Sequence, residues 1–121
     1  MQPLSHFAKG LAYEQHACLF LEQRGLELIM RNYRCRAGEL DLIMRDGDTL
    51  VFIEVRYRAN HSFGGATASV TLRKQQRLIA AAQRYLQQYP SDDPCRFDVI
   101  AINGNGQCTW LRSAFHVHDA N

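Results

Sequence analysis

Residues 38–56 read GELDLIMRDGDTLVFIEVR, two apolar runs around DGD, and this stretch decides the fold. Each run has the Leu, Ile, Val and Phe content of a buried strand, and the Asp-Gly pair between them signals a hairpin. Two carboxylates interrupt the pattern, Asp41 in the first run and Glu54 in the second. A two-residue turn at Gly47-Asp48 sets residue 41 directly opposite residue 54, with β-carbons roughly 5 Å apart. A turn at Asp46-Gly47 sets residue 41 against Phe52 instead and leaves Glu54 as its diagonal neighbour on the same face. Buried carboxylates without partners are costly or take up protons. Either arginines neutralise this pair, with Arg56 on the face of Glu54, or the pair holds a cation.

Working outward, residues 4–24 carry Leu4, Phe7, Leu11, Cys18 and Leu21 at helical spacing, with Gly25 as the stop. LELIM (26–30) begins a strand that runs toward NYRCRAG and is broken by Gly38. The hairpin strands occupy 39–45 and 49–57. RANHSFGGATAS (58–69) is a Gly-rich polar loop. Residues 71–88 are helical, with Thr71 as N-cap and Tyr89-Pro90 as the stop. RFDVIAI (96–102) is a strand, NGNG a turn and CTWLR a short last strand, leaving residues 113–121 as a loosely ordered tail. The order α-β-β-β-α-β-β predicts an α/β fold, a mixed β-sheet with flanking helices in one domain spanning 1–121.

At 121 residues the chain is long enough to bury a core without disulfides or a structural metal. No apolar run reaches membrane length, and MQPLSHFAKG lacks a secretory core, so no membrane partner is expected. Cys18, Cys35, Cys95 and Cys108 form no CxxC or CxxH pattern, which argues against zinc and for a reducing, cytoplasmic setting. The net charge of +2 is unevenly spread: residues 31–84 carry +5 and the remainder −3. Twelve of the fourteen basic residues are arginine, whose planar fork suits phosphate. Such a middle suits a polyanion, or simply a solvated basic face.

A third carboxylate falls on the apolar stripe of the first helix. Glu14 has Phe7, Leu11, Cys18 and Leu21 on its own face, which points it at the sheet; Glu22 lies near that face's edge. Singly, such a Glu pairs with an arginine or reaches to solvent. Three carboxylates converging from a helix and two adjacent strands supply the oxygen ligands that suit Mg²⁺ or Mn²⁺.

Asp41, twelve intervening residues and Glu54-x-Arg56 resemble the core motif of the PD-(D/E)xK nuclease superfamily, whose core is αβββαβ and whose last motif residue is usually lysine. The chain more closely resembles the YraN family of small bacterial proteins, related to archaeal Holliday-junction resolvases. That resemblance runs through Gly10-x-x-x-Glu14-x-x-Ala17, Asn32-Tyr33-Arg34, Gly38-Glu39-Leu40-Asp41-Leu42-Ile43, Val51-Phe52-Ile53-Glu54-Val55-Arg56, Lys74-x-x-Arg77-Leu78 and Arg96-Phe97-Asp98-Val99. It implies a restriction-endonuclease-like fold and a Mg²⁺ or Mn²⁺ site. Asp41, Glu54 and the Val55 carbonyl would be direct ligands, and Glu14 would contribute directly or through water. It further implies phosphodiester hydrolysis, with DNA ahead of RNA and branched or repair intermediates as candidate substrates, and a homodimer by likeness to the resolvases.

Arg56 departs from that pattern, because arginine supplies charge but does not give up its proton. Lys74, beside Arg73 and Arg77 in the first turn of the second helix, is the candidate to serve the metal site or the phosphate in its stead; the bland reading is a solvated lysine. Arg34, Arg36, Arg58, Arg73 and Arg77 are the candidate nucleic-acid contacts. Glu39 is placed as a supporting group or at a strand start, and Asp98 as a structural partner of Arg96. His16, His61, the Gly64-Gly65 loop, Arg31 and His116-x-His118 carry weaker signals. Three classes of function remain: a metal-dependent endonuclease, a binding module that keeps the fold without the chemistry, and a protein-interaction adaptor.

Overall fold

The structure, a computed structural model, describes residues 6–58 and 70–117, of which 6–8 by backbone alone. Helix α1 (His6–Glu22) is followed by β1 (Glu27–Cys35), β2 (Gly38–Asp46), β3 (Thr49–Arg58), α2 (Leu72–Gln88), β4 (Cys95–Asn103) and β5 (Cys108–Phe115). This is the expected α/β order. The strands lie side by side in sequence order, antiparallel except for β3 and β4, which run parallel. A parallel pair needs a long crossover, and α2 supplies it. Among the described residues no helix is long and apolar enough to cross a membrane.

The hairpin turn is the Gly47-Asp48 one, since Asp46 pairs with Thr49 and Leu42 with Ile53. Gly47 takes φ 62°, a region that an L side chain enters at a cost. Alternation along β3 then divides the core. Leu50 and Phe52 pack under α2 with Leu78, Ile79, Ala82 and Tyr85. Val51 and Ile53 pack under α1 with Ala17, Cys18 and Leu21. A strand buried on both faces reads as a continuous apolar run, as this one does.

Local chemistry sets the helix ends. The Thr71 hydroxyl accepts from the Lys74 amide at 3.1 Å and caps α2. At the end of α1, Gly25 sits at φ 95°, its N–H donates to the Glu22 carbonyl, and the Leu26 N–H donates to the Leu21 carbonyl. That pair of bonds is a Schellman closure and turns Leu26 into the core.

Three expectations are corrected. Gly38 does not merely break the first strand: it begins β2 and pairs with Cys35 across a tight turn, so β1 runs on to Cys35. The last strand reaches Phe115, which is buried against Phe97 with ring centroids 4.8 Å apart, so it takes in three residues of the expected tail. Leu11 is 40% exposed, because residues 9–12 lie clear of the sheet and the buried stripe begins further along α1. Leu4, the side chain of Phe7, residues 59–69 with His61 and Gly64-Gly65, and His118 lie outside what is described.

Gly38 also fixes the distance between β2 and α2. A β-carbon there would stand 3.1 Å from the Arg77 carbonyl oxygen and 3.4 Å from the Arg77 β-carbon. Since backbone cannot yield as a side chain can, Gly38→Ala is expected to cost about 1–3 kcal/mol, read as a lower urea midpoint at unchanged slope.

Candidate metal centre

The sheet forks where the acids lie. The rungs between β2 and β3 end at Leu42 and Ile53, whereas β3 stays paired with β4 as far as Arg58 and Asn103. The pairing of residue 41 with residue 54 allowed by the turn is therefore not made as a backbone rung. A side chain takes over: the Val55 N–H donates to Asp41 Oδ2 at 2.8 Å. Asp41 thus fills in for a main-chain acceptor at the point where β2 peels away.

Glu14 and Glu54 both lie within reach of the charge of Asp41, which raises the pKa of each. Glu54 faces α2 and Glu14 arrives from α1, so the fork gathers groups from both sides of the sheet. Lys74 Nζ stands 3.4 Å from Glu54 Oε1, and Arg56 Nη1 stands 3.9 Å from the same oxygen. Arg56 Nε is buried with no partner among the described residues. With its amide nitrogen turned toward the acid, Asn32 donates to both Glu14 oxygens at 2.9 and 3.0 Å. Asn32 has φ 53°, a left-handed conformation that Asn tolerates better than most residues. Sequence reasoning gave Asn32 no role; the available signal was an Asn, a poor strand former, inside a strand.

The two cations do not offset what burial does to these acids. Burial pushes Glu54 up to about 7, the charge of Asp41 adds to this, and Lys74 and Arg56 oppose it. Burial likewise raises Glu14 to about 7, with the charge of Asp41 next. Asp41 is raised by burial against the pull of the Val55 amide. A carboxyl whose folded pKa exceeds its unfolded value holds its proton more tightly when folded. For Glu54 there is no penalty below about 4.5, the penalty grows as pH rises, and it is complete above about 7. Relative to Glu54→Gln, the metal-free wild type is expected to lose on the order of 3 kcal/mol of stability across that window, measured by denaturant titration at successive pH values.

Among the described residues, no three Asp, Glu, His or Cys side chains stand in metal-coordinating geometry. The donor set nonetheless fits a hard divalent ion: three carboxyls, no soft ligand, and raised pKa values that a double positive charge reverses. Glu14, Asp41 and Glu54 would hold it. Of Val55, the amide is seen to anchor Asp41.

The other expected residues divide by place. Arg34, Arg36 and Arg77 join Lys74 around a hollow of about 250 Å³ between the β1–β2 turn and α2. A second hollow of about 670 Å³ continues from Arg34 and Arg36 along α2 past Gln83, Arg84 and Gln87. Those last three residues were not singled out by their spacing. Arg58 and Arg73 are exposed and line neither hollow. Glu39 is exposed and pairs with Arg34 at 3.3 Å, a contact worth about 0–1 kcal/mol that a phosphate can replace. Arg31, Glu22 and His116 are exposed, and His16 Nε2 meets the Gly106 carbonyl oxygen at 2.6 Å. Asp98 is structural, as expected, and is taken up in the Discussion.

Fold and site define an α/β protein whose five-stranded mixed sheet forks at an acid cluster. A family model described as "Uncharacterised protein family UPF0102" matches residues 13–102. The chain belongs to this family, whose YraN-like motifs it carries. A UPF0102 protein of Nitrosococcus oceani is 54% identical over 122 residues, covering 97% of this chain and 98% of that protein. One from Nitrosomonas eutropha is 55% identical over 107 residues, with 88% and 92% covered. One from Pseudomonas entomophila is 50% identical over 121 residues, with 95% and 98% covered.

Proposed function

We propose that this chain is a cytoplasmic, divalent-metal-dependent endonuclease that hydrolyses DNA phosphodiester bonds, with Mg²⁺ or Mn²⁺ as cofactor. One observation carries the reading. Three carboxyls are gathered at a break in the sheet and left short of positive charge, although Lys74 and Arg56 already stand beside them. A protein that only binds a polyanion gains nothing from three acids facing it.

When bound, the cation supplies an acidified water and offsets charge growing on the phosphate. The chain's own groups do the rest. Asp41 and Glu54 orient the centre from two adjacent strands, with Asp41 locked by the Val55 amide. Glu14 is aimed by Asn32. Lys74, beside Glu54, would meet the negative charge of the reacting phosphate and, unlike Arg56, can give up a proton there. Arg34, Arg36 and Arg77 hold the flanking backbone along the groove beside α2. The assembly expected by likeness to the resolvases is a homodimer.

The test is cleavage of labelled duplex, single strand, flap, four-way junction and structured RNA with Mg²⁺, with Mn²⁺ and with EDTA. Metal-dependent cutting of DNA supports the reading, and its absence from every probe removes it. Lys74→Ala is expected to lower cleavage roughly a hundredfold or more. Equal cutting by Lys74→Ala and wild type would return Lys74 to a structural role. The loose approach of Arg56 to Glu54, at 3.9 Å, favours a second reading, a nucleic-acid-binding module without turnover. That reading predicts binding that weakens steeply with salt and no cutting.

A further inference from the structure

Beyond the end of the β2–β3 ladder, on the α1 face, two aromatic rings form a platform. Tyr13 and Tyr57 stack with centroids 4.2 Å apart and planes 9° from parallel. The Phe97–Phe115 stack lies in the core, whereas both of these rings are partly exposed. They border a hollow of about 320 Å³ whose other walls include His16, Asn103 and Gly104. The contact between His16 Nε2 and the Gly106 carbonyl oxygen ties α1 to the β4–β5 turn and holds that wall in place. The platform also adjoins the acids along the chain: Tyr13 precedes Glu14, and Tyr57 lies between Arg56 and Arg58 on the strand of Glu54.

We propose that this hollow receives an unpaired nucleobase, stacked on the Tyr13–Tyr57 pair, from the strand whose phosphate lies at the acid cluster. The inference rests on the nuclease reading and narrows its substrate class. A stacked aromatic pair beside a hollow suits a single strand, since a ring accepts any base on its face. A base inside a continuous duplex is stacked between its neighbours and does not reach a side platform unless it is flipped out. The favoured substrate therefore has an unpaired nucleotide beside the reacting phosphate, as in an overhang, flap or gap.

The experiment places 2-aminopurine at an unpaired overhang position or at a paired position of a duplex, with Ca²⁺ replacing Mg²⁺ to suppress cutting. Saturating wild-type protein is expected to quench the unpaired probe severalfold and to leave the paired probe unquenched. Tyr57→Leu keeps an apolar contact to α1 but removes the ring. Its preference for overhang over duplex is expected to fall roughly tenfold, with loss of the quench, while Tyr57→Phe restores both. Overhang binding by wild type without any change in emission overturns the proposal, whether or not Tyr57→Leu folds. So does a Tyr57→Leu protein that binds and quenches as wild type does. Failure to bind either probe instead removes the nucleic-acid reading, and the platform's ligand with it.

Discussion

Asp41→Asn is expected to reduce metal-dependent cleavage by roughly a thousandfold while leaving the fold in place. The two halves of this result have separate causes. Asn removes the negative charge that a divalent ion needs from the residue whose charge acts on both Glu14 and Glu54. Its Oδ1 still accepts from the Val55 amide, now 2.8 Å from a carboxylate oxygen, so the sheet keeps its substitute acceptor. Asp41→Ala lacks that acceptor and is expected to lose about 1–3 kcal/mol of stability in addition, because a buried N–H is left without a partner. Cleavage assays beside denaturant titrations of both variants separate the effects. An Asp41→Asn protein that cuts as well as wild type would sink the metal centre.

The largest effect on stability is expected from Asp98→Ala, about 3–5 kcal/mol. Asp98 is 1% exposed, and four donor contacts converge on it. Arg96 Nε reaches its two oxygens at 3.0 and 3.1 Å, Trp110 Nε1 reaches Oδ2 at 2.9 Å, and the Ser113 amide reaches Oδ1 at 2.9 Å. Arg96 also reaches Asp46 at 2.9 Å, which ties this cluster to the hairpin turn. Ser113 sits at φ 50°, a strained position for a residue with a β-carbon. Without Asp98, Ser113 loses the bond that holds it there and Trp110 keeps a stranded donor. Asp98→Asn retains the size and one good acceptor and is expected to lose less. Chemical denaturation orders the three proteins. An Asp98→Ala midpoint within experimental error of wild type would show that this cluster bears little of the fold.

Both effects arise from carboxylates inside apolar strands, and the sequence shows such residues plainly. A two-residue turn within DGD and the alternation of side chains place residues 41 and 54 on one face. The stripe through Cys18 and Leu21 aims Glu14 at the sheet. Lys74 was identified as a candidate because it is one of only two lysines and opens a helix. What pattern does not reveal is where a ladder stops. The end of pairing after Leu42 and Ile53 depends on β2 following β1 while β3 follows β4, a competition among strands that no local window contains. The same end of pairing leaves the Val55 amide free to bond Asp41, a contact that no pattern in the sequence signals. Asn32 and the groove residues Gln83, Arg84 and Gln87 were missed because their parts are defined only by what the folded chain brings beside them.

The fork has a consequence for anyone who would move this centre to another scaffold. Its three acids and Lys74 sit on four separate elements, α1, β2, β3 and α2, and one of them completes the main-chain bonding of its host. A flat, fully paired sheet given the same side chains would seat Asp41 against a backbone already satisfied and would hold its two strands too evenly to admit Glu14 and Lys74 from opposite sides. What must be transplanted is the interruption itself, and the side chains follow from it.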